Sequence, residues 1–394
     1  MTAPPPSFDQ LKARARALVP VLRERALAAE ELRRVPDESI ADLHKAGLFR
    51  AFQPKSIGGS ELPYRAMVEL GAILARGCGS TAWVLTNLAS HHWMLGMWPK
   101  DAQDEIWGGD GPDVLIGSAF AFPSGRATKV KGGHRLKGRW PFSSGVDPSQ
   151  WNFIAALVEE DGKIVEPRVF IVKASDYRII DNWHAAGLAA TGSKDVEITD
   201  AFVPEHRSLN PSQIAGGATP GSAVNPGPLY RLPTFSLFPF ILSGISLGLA
   251  QGAIEEFTGS MRVRAGTYAS KKLAELATVQ LRLAEASALT DAAEKVMISS
   301  CEEATRMTEA GETASTEDRA RWRRDGAYTA GMCAKAVDLL FTGAGGSAIY
   351  KSHPLQRMWR DVHAANGHFL VSWDMAGTLY GRVALGLPHD VPVL

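Results

Sequence analysis

The sequence predicts a mainly helical α+β chain in three parts: helices over 1–112, strands over 113–208 and helices again over 209–394. Three observations predict it. Before Gly108 and after Pro233, apolar residues recur at the three- and four-residue spacing of a helix face. Between them lie short runs rich in β-branched and aromatic residues, separated by turn residues. Strand and helix do not alternate along the chain, which excludes a doubly wound α/β sheet.

The first helical pattern runs from Phe8, with Leu11, Ala15, Leu18 and Leu22 on one face. A short helix follows Asp37, read as its N-cap, with Ile40 and Leu43 behind it. Pro54 to Gly59 interrupts, a helix spans Tyr64 to Arg76, and Gly77-Cys78-Gly79 separates it from one that starts near Ser80. That next helix carries Trp83, Leu88, His91 and His92. Val114–Ile116, Thr128–Val130, Trp151–Val158, Val169–Val172 and Asp195–Val203 read as strands, and Lys129 to Leu136 as a hairpin turning at Gly132-Gly133. Leu209 to Pro228, rich in Gly, Pro and Ser, reads as a surface connection. Leu273, Leu276, Val279, Leu283 and Ala286 mark one long amphipathic helix, and Ala327, Ala330, Ala334, Val337 and Phe341 another.

Composition bounds the function. Forty-two basic and forty-two acidic residues cancel, so no electrostatic footprint for nucleic acid appears. Met1 to Ser7 lacks the basic stretch and apolar core of a signal peptide. No uninterrupted apolar run reaches the ~18 residues of a membrane span, because Pro239 cuts Phe235–Ala250. The expectation is a cytoplasmic protein with no membrane partner. Cys78, Cys301 and Cys333 lie too far apart in sequence for a Cys-x-x-Cys metal site, and the ten histidines show no metal spacing.

Most catalytic motifs fail on context. Gly343-Ala-Gly-Gly-Ser-Ala348 matches a dinucleotide fingerprint but follows a helix where that motif needs a strand. Gly244-Ile-Ser246-Leu-Gly248 matches a nucleophile elbow but sits inside an apolar helical run, where close helix packing explains its small residues. His363 and His368, five apart, lie roughly 140° off a common face of a regular helix, whereas Asp361 and His368 share one. Trp140-Pro-Phe142-Ser143-Ser144-Gly145 has two readings: a capped strand end packed on the core, or a platform for a planar ligand with hydroxyls at its edge.

The segments Cys78–Trp83, His91–Trp93, Ala102–Trp107, Gly138–Trp140 with Ser143–Gly145, Thr191–Ser193, Phe202–Arg207, Arg262–Arg264 and Gln356–Ala364 are collinear. In that order the chain resembles the acyl-CoA dehydrogenase fold. Within it, the chain is similar to the oxygenase components of two-component flavin-dependent monooxygenases, above all the phenol hydroxylases acting on steroid rings and p-hydroxyphenylacetate. The resemblance implies an N-terminal helical domain, a middle β-barrel or sandwich and a C-terminal four-helix bundle. It also implies reduced flavin (FMNH2 or FADH2) from a separate NAD(P)H:flavin reductase, O2, a flavin C4a-hydroperoxide, a small aromatic substrate and a homotetramer.

By the same resemblance, Ser143 or Ser144 meets flavin N5, Trp140 and Phe142 line the flavin pocket, and Thr191-Gly192-Ser193 lies near the sugar-phosphate. His91 and His368 face the substrate, His368 holding or accepting a phenolic proton. Arg264 meets the flavin phosphates, from a neighbouring subunit, or is a solvated helix-start charge. Leu229 to Phe240 is a pocket wall or lid. Two other activities remain open: an acyl-CoA dehydrogenase with bound FAD, and a serine hydrolase at Ser246. Against the dehydrogenase, Val362 to Trp373 contains no Asp or Glu, and Phe369 stands at the position of that family's common glutamate base.

Overall fold

The computed structural model describes residues 4–265 and 272–389. The N-terminal helices are α1 (Phe8–Leu32), α2 (Asp37–Lys45), α3 (Arg65–Ala75), α4 (Gly79–Gly96) and α5 (Lys100–Gln103). Ser7 caps α1 through a reciprocal pair with Gln10, which satisfies two donors that a bare helix end leaves unpaired. Asp37 is the first residue of α2 rather than its cap; Pro36 holds the flanking position, and the carboxylate faces the positive end of the helix dipole. Every residue of α4 is buried, which explains why the sequence shows no polar face there.

Eight strands follow: β1 (Ile116–Ala119), β2 (Gly125–Val130), β3 (Gly133–Ser143), β4 (Trp151–Glu160), β5 (Lys163–Lys173), β6 (Arg178–Ile180), β7 (Lys194–Pro204) and β8 (Ser208–Leu209). Their order is β6-β7-β3-β2-β4-β5-β8, with β1 parallel to β4. The expected hairpin joins β2 to β3, with Val130 opposite Gly133 and Gly132 at φ +82°. Strand alternation divides the core. Trp151 and Phe153 of β4 face the helices, while Ile154 and Ala156 face a separate β core with Leu136, Trp140 and Phe170.

The C-terminal helices are α6 (Thr234–Val263), α7 (Ala277–Glu309), α8 (Thr316–Ala344), α9 (Pro354–Asn366) and α10 (Trp373–Ala384). α6 packs against α7, α8 and α9, and α10 lies on α8. Three sequence expectations are corrected. Pro239 does not cut the apolar run: it is the sixth residue of α6, where the ring costs one backbone bond and the helix continues. α6 is therefore long and apolar enough to cross a membrane, yet 89% of its most apolar window is buried inside the fold. The long amphipathic helix begins at Ala277, with Leu273 in a preceding 3₁₀ turn. The Leu209–Pro228 connection is irregular but pinned, since buried Asn225 donates to Gly96 O and to Gln103 Oε1.

The Gly244 to Gly248 motif is a packing device. A Cβ at Gly248 would stand 2.2 Å from Ala72 O, so α3 and α6 approach only because no side chain intervenes. Ser246 lies mid-helix and hydrogen-bonds Asn366 at 3.0 Å. No strained strand-to-helix turn exposes it.

Candidate active site

A cavity of about 410 Å³ opens where the three parts meet. Helix α4 contributes Trp83 and Asn87, one turn apart on one face. The ends of β1 and β3 contribute Ser118, Phe120, Phe142 and Ser144; Ser118 bridges to Ser144. The loop before β7 supplies Trp183, Leu188, Thr191 and Ser193, the start of α6 supplies Phe235 and Phe238, and the turn after α9 supplies His368 and Phe369. None of the lining residues is Asp or Glu.

Local sequence explains how β3 presents Ser144. Simple alternation would turn Trp140 and Phe142 to one face, but the register slips between Trp140 and Ser143 and Phe142 takes φ +64°. The bulge turns Phe142 outward, 66% exposed, at the cavity mouth, where its ring meets Trp183 edge-on at 6.2 Å. It also turns Ser143 inward. Ser143 is fully buried and accepts a hydrogen bond from Asn152 Nδ2 at 2.8 Å, and Trp140 is fully buried with its indole donating to Ala155 O. Of the residues expected at the flavin, Ser144 and Phe142 line the cavity; Ser143 and Trp140 belong to the β core.

The hydroxyls form a chain with a direction. Thr191 Oγ1 donates to Leu188 O at 2.9 Å, so it can only accept from Ser193 Oγ, 2.7 Å away. Ser193 then spends its proton on Thr191 and must accept from Ser144 Oγ, also at 2.7 Å. Ser144 in turn accepts from Trp83 Nε1 at 3.1 Å. Each proton is committed toward Leu188, and Ser144 is left with an acceptor lone pair.

Two backbone features hold this loop. Leu188 is left-handed at φ 49°, and its N–H donates to Asp361 Oδ1 at 2.7 Å. A Cβ at Gly187 would lie 2.2 Å from Arg360 O, and one at Gly192, φ +57°, would lie 2.5 Å from Asp147 Oδ2. Burial pushes the Asp361 carboxyl up to about 6. Asp361 therefore serves the loop and does not face His368, as helical spacing suggested: α9 ends at Asn366, and His368 caps the following 3₁₀ turn.

His368 Nδ1 accepts the Leu370 N–H at 3.2 Å. Burial pulls its pKa down to about 4, so the ring is neutral at pH 7 and Nε2 carries the proton. Its ring stands edge-on to Trp83 at 5.8 Å. His91 is the opposite tautomer. Its Nδ1 lies 2.5 Å from Ile116 O and must donate, which leaves Nε2 as a bare acceptor, buried without a partner. Burial lowers His91 to about 4 as well. His91 is not among the lining residues; its ring meets that of Phe120, which is, edge-on at 6.2 Å. His92, which accepts the Trp107 indole N–H at 3.1 Å, is a core residue.

Arg264 is not among the lining residues; its guanidinium donates to Ala344 O at 3.0 Å, at the far end of α8. Sequence reasoning missed Asn87, Ser118, Phe120, Trp183 and Leu188 as site residues. Only Asn87 had a local signal, four residues after Trp83 on the same face. Among the described residues no group of three His, Cys, Asp or Glu is placed to hold a metal ion.

Residues 240–373 match the acyl-CoA dehydrogenase C-terminal domain family. The chain is 37% identical over 375 residues to the flavin-dependent monooxygenase oxygenase subunit HsaA of Rhodococcus jostii, covering 94% of this chain and 97% of that protein. It is 35% identical to the oxygenase component of the FADH2-dependent resorcinol hydroxylase of a Rhizobium species, covering 96% and 94%. XiaF from Streptomyces, solved with FADH2 and glycerol, superposes with a TM-score of 0.91 at 27% identity over 98% of both chains. The chain therefore belongs to the oxygenase components of the flavin-dependent monooxygenases, built on the acyl-CoA dehydrogenase fold.

Proposed function

We propose that this protein hydroxylates a phenolic, indolic or polycyclic aromatic substrate, using reduced FMN or FAD from a separate NAD(P)H:flavin reductase. The observation that carries the reading is the directed hydroxyl chain. Reduced flavin bears a proton on N5 and oxidised flavin does not, so a site ending in the acceptor lone pair of Ser144 suits the reduced form. The residues fit the group in other respects: the apolar aromatic walls suit a planar ring, and the loop 191–193 brings small residues close. Bound reduced flavin supplies the activation of O2; the protein's part is to bind, orient and keep water out.

His368 Nε2–H would donate to the phenolic oxygen and stabilise its ionised form, which raises electron density at the ortho carbon. Since Nδ1 already accepts from Leu370, holding the oxygen suits this residue better than taking the proton. Phe235 and Phe238, both nearly buried, keep the reacting end dry. The cavity walls carry no carboxylate that could abstract a proton α to a thioester, which disfavours dehydrogenase chemistry. Ser246 has an asparagine partner and no histidine, which disfavours a hydrolase. Arg264 does not line the cavity of its own chain, so a role at the flavin phosphates would be exercised across a subunit boundary in a homotetramer. A cytoplasmic location and domains over 1–112, 113–208 and 209–394 complete the proposal.

Oxygen uptake tests it. Purified protein with NADH and flavin should consume no O2 until a flavin reductase is added, and phenols should then gain one oxygen by mass. Rapid NADH oxidation by the protein alone would overturn the two-component reading.

A further inference from the structure

Most polar groups on the cavity wall are already engaged. Ser144, Thr191 and Ser193 form the directed hydroxyl chain, His368 Nδ1 holds Leu370, and the Trp183 indole donates to Leu188 O at 3.3 Å. Asn87 differs from them. It lines the cavity from the middle of α4 and is only 7% exposed. Its Nδ2 donates to Trp83 O at 2.8 Å, and because a carbonyl only accepts, this bond fixes which end of the amide is which. Oδ1 lies on the other arm of the planar amide, away from Trp83 O. Among the described residues it accepts no hydrogen bond.

Asn87 stands one turn, about 6 Å, along α4 from Trp83, whose ring meets His368 edge-on at 5.8 Å. The walls around it are aromatic, with Phe235 and Phe238 at the start of α6. A planar ring that fills this space keeps water from Oδ1, which then stays unpaired unless the ring itself brings a donor. An orphaned buried acceptor is costly, and a site built to receive a hydroxyl discriminates against the analogue that lacks one. We propose that Asn87 is a specificity-determining residue. It selects aromatic substrates that carry a second hydrogen-bond donor, a hydroxyl or a ring N–H, besides the phenolic oxygen held by His368. The inference rests on the phenolic reading of the cavity and narrows its substrate class.

The test compares catechol, resorcinol and hydroquinone with the matching cresols, in which a methyl group of similar size replaces one hydroxyl. Dissociation constants are titrated on the anaerobic protein loaded with photoreduced FMN, and oxygen incorporation is then read by mass. The wild type should bind at least one diol about tenfold more tightly than its cresol, the scale of one hydrogen bond given to a buried acceptor. Asn87→Leu, close in volume and without polar atoms, should reverse that preference. Asn87→Ala, which brings no new contact, should abolish it and serves if the leucine variant does not fold, as judged by thermal melting. A diol preference that survives in a folded variant would overturn the role of Asn87. So would a wild type that binds and oxygenates cresols as well as diols, and in both cases the phenolic reading stands. A wild type that oxygenates none of these phenols would overturn the phenolic reading, and this inference with it.

Discussion

Asp361 Oδ1 accepts the backbone N–H of Leu188 at 2.7 Å, and this one bond ties helix α9 of the C-terminal bundle to the loop that carries Thr191 and Ser193. The donor belongs to a left-handed residue and the acceptor to a buried carboxylate, so neither finds the partner again in water at no cost. Asp361→Asn keeps an acceptor oxygen in place. It should stay within about 1 kcal/mol of wild type in denaturant unfolding, whereas Asp361→Ala should lose about 1–3 kcal/mol. Reduced-flavin affinity should follow the same order. Equal losses in both variants would mean that the charge, and not the bond to Leu188, matters.

The direction of the hydroxyl chain can be reversed. Thr191→Val removes the acceptor for the Ser193 proton. That proton is then free to go to Ser144, and Ser144 turns its own proton toward the cavity. The ratio of reduced to oxidised FMN affinity, measured by anaerobic and aerobic titration, should fall by about tenfold. Ser143→Ala is the contrast. Its hydroxyl serves Asn152 inside the sheet, so it should cost about 1 kcal/mol of stability and leave both flavin affinities unchanged.

His368→Asn separates the two ring nitrogens. The asparagine oxygen can still cap Leu370 as Nδ1 does, but no donor remains at the position of Nε2. Thermal stability and reduced-flavin binding should hold. Hydroxylation should fall by roughly 10²–10³-fold, the scale of a lost donor to developing charge, with the reducing equivalents released as hydrogen peroxide. Full coupling of flavin oxidation to product in this variant would remove His368 from the chemistry.

Acid should destabilise the fold in a defined window. Burial lowers His91 and His368 to about 4 and His92 to about 3, below the ordinary 6.5. Between those values the unfolded chain binds protons that the native imidazoles refuse, so stability falls as pH drops below about 6.5. Asp361 acts oppositely: its raised carboxyl binds a proton more readily when folded, which adds stability as pH falls through about 6. Three imidazoles outweigh one carboxyl. Urea midpoints measured from pH 7 to pH 4 should decline steadily, and His92→Gln should reduce the slope.

The sequence by itself determined the helix–strand–helix order, the hairpin at Gly132 and the packing role of Gly244 and Gly248, and its resemblance offered His91, Trp140, Phe142, Ser143, Ser144, Thr191, Gly192, Ser193, Arg264 and His368 as candidates for the site. These are legible because periodicity, turn chemistry and short motifs are local properties of the chain. Tertiary structure alone put Ser144 on the cavity wall and Ser143 inside the β core, since a bulge at Phe142 inverts the facing that alternation predicts. It alone withdrew Trp140 into the β core, placed Asp361 under Leu188, and brought Trp183, Phe120 and Phe235 together from positions up to 115 residues apart. It also assigned the two histidines opposite tautomers, because a ring nitrogen takes its role from the backbone group it meets, Ile116 O for His91 and Leu370 N–H for His368. Those partners are 25 and 2 residues away, and no spacing rule carries the direction of a hydrogen bond across the fold.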